Sequence, residues 1–316
     1  MGNGDMGGDT GRLREKIRTV LYRSGAVAVG FAKASLLPEE ENARFNEWIG
    51  EGRHAGMTFL ERHAALRTSV ENVLEGAATV VSLAFSYAPE KWLDNGVAAY
   101  AYGLDYHEVI RGRLNPLVED LKALYGHEWR VCIDSAPVAE RFWAEKAGIG
   151  RRGLNGAVMV EKAGGLCFLA EVLTTLPLEP DDVGAAQTCC GCRKCIGACP
   201  TGALAPDGTL DSRLCINYLT IEHRGDWNED RRKIIEKSGR RVLGCDACLR
   251  VCPVNQSAPP GKIEEFHPGD HLSLLDPEVF AKLGKAGFKK YFRHTPFSRA
   301  KYEGILRNIN STFFLF

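Results

Sequence analysis

Nine of the eleven cysteines in this 316-residue chain fall between Cys189 and Cys252. Thiols crowded into so short a segment either pair as disulfides or bind metal, and compartment decides which. The opening residues, Met1 to Gly11, are rich in Gly and Asp and carry no apolar stretch of the kind a secretory signal needs. That start predicts a disordered tail on a cytoplasmic protein whose thiols stay reduced. Clustered reduced cysteines are then metal ligands.

The spacing narrows the metal. Cys189-x2-Cys192-x2-Cys195-x3-Cys199-Pro200 is the run found in bacterial ferredoxins, in which the fourth thiolate serves the other of two cubane clusters. A second, shorter motif, Cys245-x2-Cys248-x3-Cys252-Pro253, lacks one thiolate, and Cys215 is the unused cysteine in this half that can supply it. One 4Fe–4S cluster is therefore assigned to Cys189, Cys192, Cys195 and Cys252, and the other to Cys199, Cys215, Cys245 and Cys248. The alternatives are paired zinc ribbons, which favour Cys-x2-Cys pairs across a longer loop, or structural free thiols. Cys190 has no place in either set. Cys132 and Cys167 lie in strand candidates and read as buried small hydrophobes.

Ahead of this segment the apolar pattern alternates between helix and strand. Leu13, Ile17, Val20 and Leu21 share a helical face, and Pro38 starts a second helix with acidic residues in its first turn. Residues 27–32, 78–87, 129–133, 157–160 and 167–173 read as strands; Tyr106–Tyr125 and Pro137–Ala147 read as helices. That order predicts a layered α/β or α+β domain. A Pro/Asp/Gly connector from Pro177 to Ala185 marks its end. No run of about 18 apolar residues exists to span a membrane. A ferredoxin needs no such first domain, so that domain is where electrons are used.

Asp134 closes the apolar run Val131-Cys132-Ile133 just ahead of the predicted helix at Pro137. Strand ends of layered domains collect ligand sites. Burial raises a carboxyl from its reference of about 3.9, which suits a proton donor near neutral pH. A helix N-cap at Asp134 or Ser135 fits the position as well. Gly148-Ile149-Gly150-Arg151-Arg152-Gly153 matches a dinucleotide fingerprint only superficially, because it follows a helix; its glycines are expected to admit another cofactor. His107, among Tyr and Glu on a helix, has a structural reading of its own.

Between Lys285 and Arg307 stand seven cations, Lys285, Lys289, Lys290, Arg293, Arg299, Lys301 and Arg307, against one acid, Glu303. Tyr291, Phe292, Phe297 and Tyr302 are interleaved, and Arg231-Arg232-Lys233 with Arg240-Arg241 add charge. Cations with aromatics suit phosphate contacts and stacking on exposed RNA bases, although a charge run is often only a solvated face. Lys+Arg and Asp+Glu both total 40, so any such surface is local.

Taken together, the motifs resemble the epoxyqueuosine reductases, cobalamin-dependent enzymes of the last step of queuosine synthesis in tRNA. The matching stretches include His54-Ala55-Gly56-Met57-Thr58-Phe59-Leu60, Tyr102-Gly103-Leu104-Asp105-Tyr106-His107, Val131 to Arg141, Leu169 to Thr174, both cysteine motifs, and Cys215-Ile216-Asn217-Tyr218-Leu219-Thr220-Ile221-Glu222. The ending, Arg299-Ala300-Lys301 with Leu306-Arg307-Asn308, matches too. The likeness runs from about residue 12 to 310. The family commonly carries Gly-Trp-x-Gly-Lys-Asn where Arg151-Arg152-Gly153-Leu154-Asn155 stands here, and Trp-Asn where Val254-Asn255 stands. No HEAT-like extension follows.

The resemblance implies a base-off cobalamin between the first domain and the cluster domain. It is consistent with the lack of a D-x-H-x-x-G motif, since Glu108, Val109 and Ile110 follow His107. It further implies cofactor contacts from Met57, Tyr102, Asp105, His107, Asp134, Arg141, Asn155 and Tyr218, with Asp134 as proton donor. Arg224 joins the seven cations of the C-terminal stretch as expected contacts to the anticodon stem-loop of a tRNA partner. An external flavodoxin- or ferredoxin-type electron donor and a monomeric protein complete the expectation. The runners-up are a related small-molecule reductase, as in reductive dehalogenation, and a non-catalytic two-cluster electron carrier. The expected layout is a tail (1–11), an α/β (α+β) catalytic cobalamin-binding domain (12–178), a ferredoxin-like 4Fe–4S domain (179–258) and a basic helical segment (259–316).

Overall fold

The computed structural model describes residues 6–184, 189–239 and 241–313. Arg240 of the basic stretch and Ala185 of the connector lie outside them. Helix α1 (Met6–Tyr22) begins within the stretch expected to be a tail. Once Ile17 and Leu21 are packed, extending the helix backwards costs little, because nucleation is the expensive step.

Four strands form the central sheet: β1 (Ala28–Lys33), β2 (Thr79–Ser86), β3 (Trp129–Cys132) and β6 (Cys167–Thr174), in the order β1-β2-β6-β3 with every pair antiparallel. Between the outer two strands and the sheet's last strand come α2 (Glu39–Gly50), α3 (Thr58–Arg62), α4 (Tyr106–Tyr125), α5 (Glu140–Lys146) and a small hairpin, β4 (Gly150–Arg152) with β5 (Val158–Val160). Antiparallel pairing with helices on both faces makes the domain α+β.

Alternation in the strands assigns the faces. Phe31, Val81, Leu83, Phe85, Ala170 and Val172 point towards α1 and α4, meeting Ile17, Leu21, Ile110, Leu114 and Val118. On the opposite face Val80, Leu173 and Cys132 pack under Trp143 and Ala147 of α5. The row Gly30, Ser82, Glu171, Cys132 runs across that second face in register. Gly30 is required there, because a Cβ would stand 2.1 Å from the Ala147 carbonyl oxygen. Helix α5 starts at Glu140 instead of Pro137 and has no side-chain cap, so neither Asp134 nor Ser135 is an N-cap.

The cysteine-rich part is built from short helices: α6 (Lys194–Gly197), α7 (Ile216–Ile221), α8 (Glu229–Lys237), α9 (Ala247–Arg250) and α10 (Pro253–Gln256). The C-terminal pair, α11 (Pro277–Phe292) and α12 (Phe297–Phe313), is no loose basic tail. Phe280, Phe292, Phe297, Ile305 and Ile309 are fully buried in a core that also takes in Val97, Ala101, Tyr102, Val242 and Leu243. Phe292 and Phe297, expected as stacking platforms for RNA, are thus core residues, and Tyr302 packs on Phe280 at 5.4 Å. Apolar residues at helical spacing served packing. Among the described residues no helix is long and apolar enough to cross a membrane.

Candidate active site and cluster lobe

Asp134 sits where β3 ends, on the loop leading to α5, and its backbone is left-handed at φ 49°. Asp tolerates that region better than most residues, yet such strain persists only where surroundings impose it. Ser135 N–H bonds back to the Ile133 carbonyl, and Asp134 N–H donates to Glu140 Oε1 at 2.5 Å.

The side chain reaches towards the start of α4. The Tyr106 hydroxyl donates to Asp134 Oδ2 at 2.9 Å, and His107 Nε2 stands 3.4 Å from the same oxygen. Asp105 caps α4 by accepting from His107 N–H and also holds the ring Nδ1 at 2.8 Å. Tyr106 is fixed by stacking on Phe168, centroids 4.2 Å apart and planes 6° from parallel. The result is a relay of Asp105, His107 and Asp134 with Tyr106 alongside.

Charge in this relay differs from the expectation. Desolvation by its neighbours pushes the Asp134 carboxyl up, although the side chain is 62% exposed, and the His107 hydrogen bond and charge, Tyr106 and Arg299 outweigh it and hold the group below the usual carboxylate range. Two hydrogen bonds to the ionised form account for the reversal. Protons reside instead on its neighbours. Burial and the Asp134 charge lift Glu140 to about 8. Burial works against charged His107, but Asp105 and Asp134 prevail and raise it to about 9.

Half-buried rings stand beside this site: Tyr87 and Tyr106 pack on Phe168 at 4.5 and 4.2 Å, and Tyr100 lies against Gly244, just ahead of Cys245. Burial raises all three phenols, and Asp246 acts on Tyr87 and Tyr100 while Asp134 acts on Tyr106. Cys248 lies within electrostatic reach of Tyr87. Contacts thus run from Asp134 through Tyr106 and Phe168 to Tyr87, whose electrostatic neighbours include Cys248.

The thiols sort into two neighbourhoods. Burial lifts Cys195, and Cys189 and Cys252 add to it. Burial lifts Cys248 to about 12, and Cys245, Cys215 and Cys199 add to it; Cys215 is raised by burial and then by Cys245 and Cys199. An open hollow is lined by Cys189, Cys192, Cys195 and Cys252, with Leu154, Asn155 and Met159 of the first domain across from them. This donor set suits a cubane: soft thiolates gathered together, with no carboxylate among the described residues of the lining. Cys190 is exposed at its rim. Cys132 is buried as expected, whereas Cys167 is half-buried.

Other expected residues scatter. Tyr102 is 1% exposed, its hydroxyl accepting from Leu93 N–H at 2.9 Å, so it sits in the core. Tyr218 is buried and accepts from Gly56 N–H at 2.9 Å; with half-buried Met57 it packs around Cys215 and Cys245. Asn155 lines the hollow and donates to the Cys248 carbonyl at 3.4 Å, facing the clusters. Arg141 donates to the Gly156 carbonyl at 3.0 Å and acts electrostatically on Glu140. The glycines at 150 and 153 serve the small hairpin, since Cβ atoms there would meet Met159 at 2.5 and 3.0 Å.

The expected RNA contacts divide likewise. Arg307 is a structural clamp: half-buried, it donates to the Leu219, His223 and Gly225 carbonyls and lies 3.9 Å over the Trp227 ring. Lys285 pairs with exposed Glu303. Arg299 binds Glu222 through two nitrogens, covers Phe59 at 5.6 Å and acts on Asp134, while Arg224 donates to the Arg299 carbonyl. Lys289, Lys290, Arg293 and Lys301 are exposed. Sequence reasoning gave no role to Tyr106, Glu140, Phe168 or Glu171. The Asp-Tyr-His and Ala-Glu-Arg runs were the available signals for the first two.

Fold and site together define a two-cluster iron–sulfur oxidoreductase: residues 188–255 match the family described as a 4Fe-4S double cluster binding domain. That match decides against zinc ribbons. Residues 67–135, ending just past Asp134, match the family "Epoxyqueuosine reductase QueG, DUF1730". An epoxyqueuosine reductase from Cyclobacterium marinum is 38% identical over 287 residues, covering 89% of this chain and 90% of its own. One from Pseudomonas aeruginosa is 34% identical, over 95% and 85%. The chain belongs to the epoxyqueuosine reductase family, and it is an enzyme, not a bare electron carrier. A crystal structure of an epoxyqueuosine reductase with an epoxyqueuosine-modified tRNA-Tyr stem loop superposes with TM-score 0.86 at 29% identity, covering 95% of this chain and 80% of that one. A Bacillus subtilis relative, with its catalytic aspartate loop swung out of the active site, superposes with TM-score 0.80 at 26% identity over 95% and 81%.

Proposed function

We propose that this protein reduces epoxyqueuosine to queuosine at the wobble position of tRNA, with Asp134 as the acid that protonates the departing oxygen. The observation that carries the reading is the Asp134 carboxylate, on a left-handed backbone, held by Tyr106 and His107. The net conversion takes two electrons and two protons, replaces the epoxide by a carbon–carbon double bond and releases water. An external carrier of flavodoxin or ferredoxin type supplies the electrons singly through the two cysteine sets assigned above.

Cobalamin is the second cofactor of this reading. Two features support the fit. Tyr87, Tyr100 and Tyr106 are half-buried beside the site and would line the space such a group takes. His107 has both ring nitrogens engaged by carboxylates, so beside such a group it would serve as a proton carrier and not as a ligand to the metal. When bound, cobalamin supplies a strongly reducing nucleophilic metal centre for opening the epoxide. The chain's own part is protonic: His107 carries a proton at neutral pH and passes it to Asp134, which presents it to the oxygen. The cations Arg299, Arg224, Lys289, Lys290, Arg293 and Lys301 hold the phosphates of the anticodon stem-loop.

The test is nucleoside mass spectrometry of epoxyqueuosine-containing tRNA incubated anaerobically with reconstituted protein, cobalamin and a strong reductant. Queuosine is the expected product. No conversion with iron and cobalt both bound would shift the substrate to a small molecule.

A further inference from the structure

The Ala-Glu-Arg run following Asp134 has no part in the chemistry just described, yet its Glu140 touches the reacting loop. Glu140 is the first residue of α5, six positions on from Asp134. Its Oε1 accepts the Asp134 backbone N–H, at a residue held in the left-handed region at φ 49°. Backbone there relaxes readily unless a partner over-determines it. An acceptor on a rigid helix start is such a partner, and it is the helix that packs through Trp143 and Ala147 onto the sheet.

We propose that Glu140 is a positioning residue for Asp134: its carboxyl group locks the Asp134 amide and so aims the side chain at Tyr106, His107 and the substrate. The inference rests on the reading of Asp134 as the acid. The groups facing Glu140 are Asp134, Arg67, Arg141 and, from the sheet beneath, Glu171. Glu171 is fully buried opposite Cys132, with the Ser82 hydroxyl donating to Oε1 at 3.1 Å and Oε2 without a partner. Burial keeps Glu171 protonated, so the lock is not pushed away by an anion from the core.

The discriminating experiment compares Glu140→Ala, Glu140→Asp, Glu140→Gln and Asp134→Asn in the full reconstituted chain. It reads backbone hydrogen exchange across residues 131–136 as well as kinetics. Ala and Asp withdraw the acceptor, so exchange in this segment rises about tenfold. Turnover falls by about 10²-fold while KM for the tRNA stem-loop stays put, as expected for misplacement of an acid. Gln keeps an oxygen in place and retains both properties. Wild-type exchange and turnover in Glu140→Asp overturn the proposal, as does Gln behaving like Ala at full iron content. Normal turnover of Asp134→Asn sinks the acid reading instead, while the exchange data still decide whether Glu140 holds the loop.

Discussion

His107 Nε2 stands 3.4 Å from Asp134 Oδ2. The other ring nitrogen is held by Asp105 at 2.8 Å, so the imidazole lies between two carboxylates and is raised to about 9 despite its burial. A histidine whose folded value is raised contributes stability that is complete below its unfolded value of about 6.5 and is lost as pH climbs through about 9. NMR titration of the ring, assigned by comparison with His107→Gln, is expected to show a midpoint near 9. Asp105→Asn removes the nearer anion and lowers it. A midpoint at the free-imidazole value in the wild type would mean that the pair of ion contacts does not form in solution.

Substitution separates the relay's members by function. Asp134→Asn keeps the loop's backbone bond to Glu140 and leaves the thiols untouched. Iron and cobalt content should therefore stay at wild-type levels while turnover drops by about 10² to 10⁴-fold, the range set by loss of a general acid. His107→Gln still allows solvent to reload Asp134 and falls less far. Single-turnover assays with prereduced enzyme are the measurement; an Asn variant with normal chemistry ends the role of Asp134.

The strands and the ferredoxin spacing were legible because each is a periodic or fixed-distance signal within one segment. Strand β2 and helix α4 of the first domain fall within a residue of their expected limits. Helix α5 did not, because Pro137 is a helix-start signal that Asp134's tight turn overrides. Which side chains of a matching motif point inwards is a tertiary matter. Tyr102 and His107 lie five residues apart in one run, yet only His107 reaches the site. Arg307 and Phe292 illustrate the same limit from the C-terminus, since residue type alone does not tell a stacking or phosphate contact from a core one.

The two thiol neighbourhoods can be read out separately. Cys252→Ser removes a ligand from the set lining the hollow, and Cys215→Ser one from the set beneath Tyr218. Each should halve the bound iron after anaerobic reconstitution, about four irons being lost with one cubane. Cys190→Ser, at the exposed rim, should lose none. Iron analysis with electron paramagnetic resonance of the remaining cluster checks the assignment. Full iron in Cys215→Ser would send the fourth ligand elsewhere.

The C-terminal cations should part into two groups. Lys289, Lys290, Arg293 and Lys301 are exposed, so replacing any of them by Ala should weaken tRNA binding evenly across sequences and flatten the salt dependence by about one counterion each, with thermal stability unchanged. Arg307→Ala strips three backbone carbonyls of their donor and uncovers Trp227. It should lower the unfolding midpoint instead. Filter binding across a salt series, paired with thermal denaturation, distinguishes the two; a steep loss of affinity in a stable Arg307→Ala protein would return that residue to the RNA surface.

Glu171 sets the pH behaviour of the sheet itself. Burial is the chief cause of its raised value, Glu140's charge the second, and the Ser82 bond opposes them only partly. The folded state thus holds a proton that the unfolded chain releases above about 4.3, so the wild type loses stability as pH rises beyond that point. Glu171→Gln keeps the shape and an acceptor for Ser82 but cannot ionise, and it escapes this slope. The two proteins should unfold at similar temperatures near pH 5, and the Gln variant should pull ahead progressively by pH 8. A variant that is weaker by the same margin at every pH would show that Glu171 is ionised and partnered in the native protein, which would in turn place a second negative charge behind Glu140.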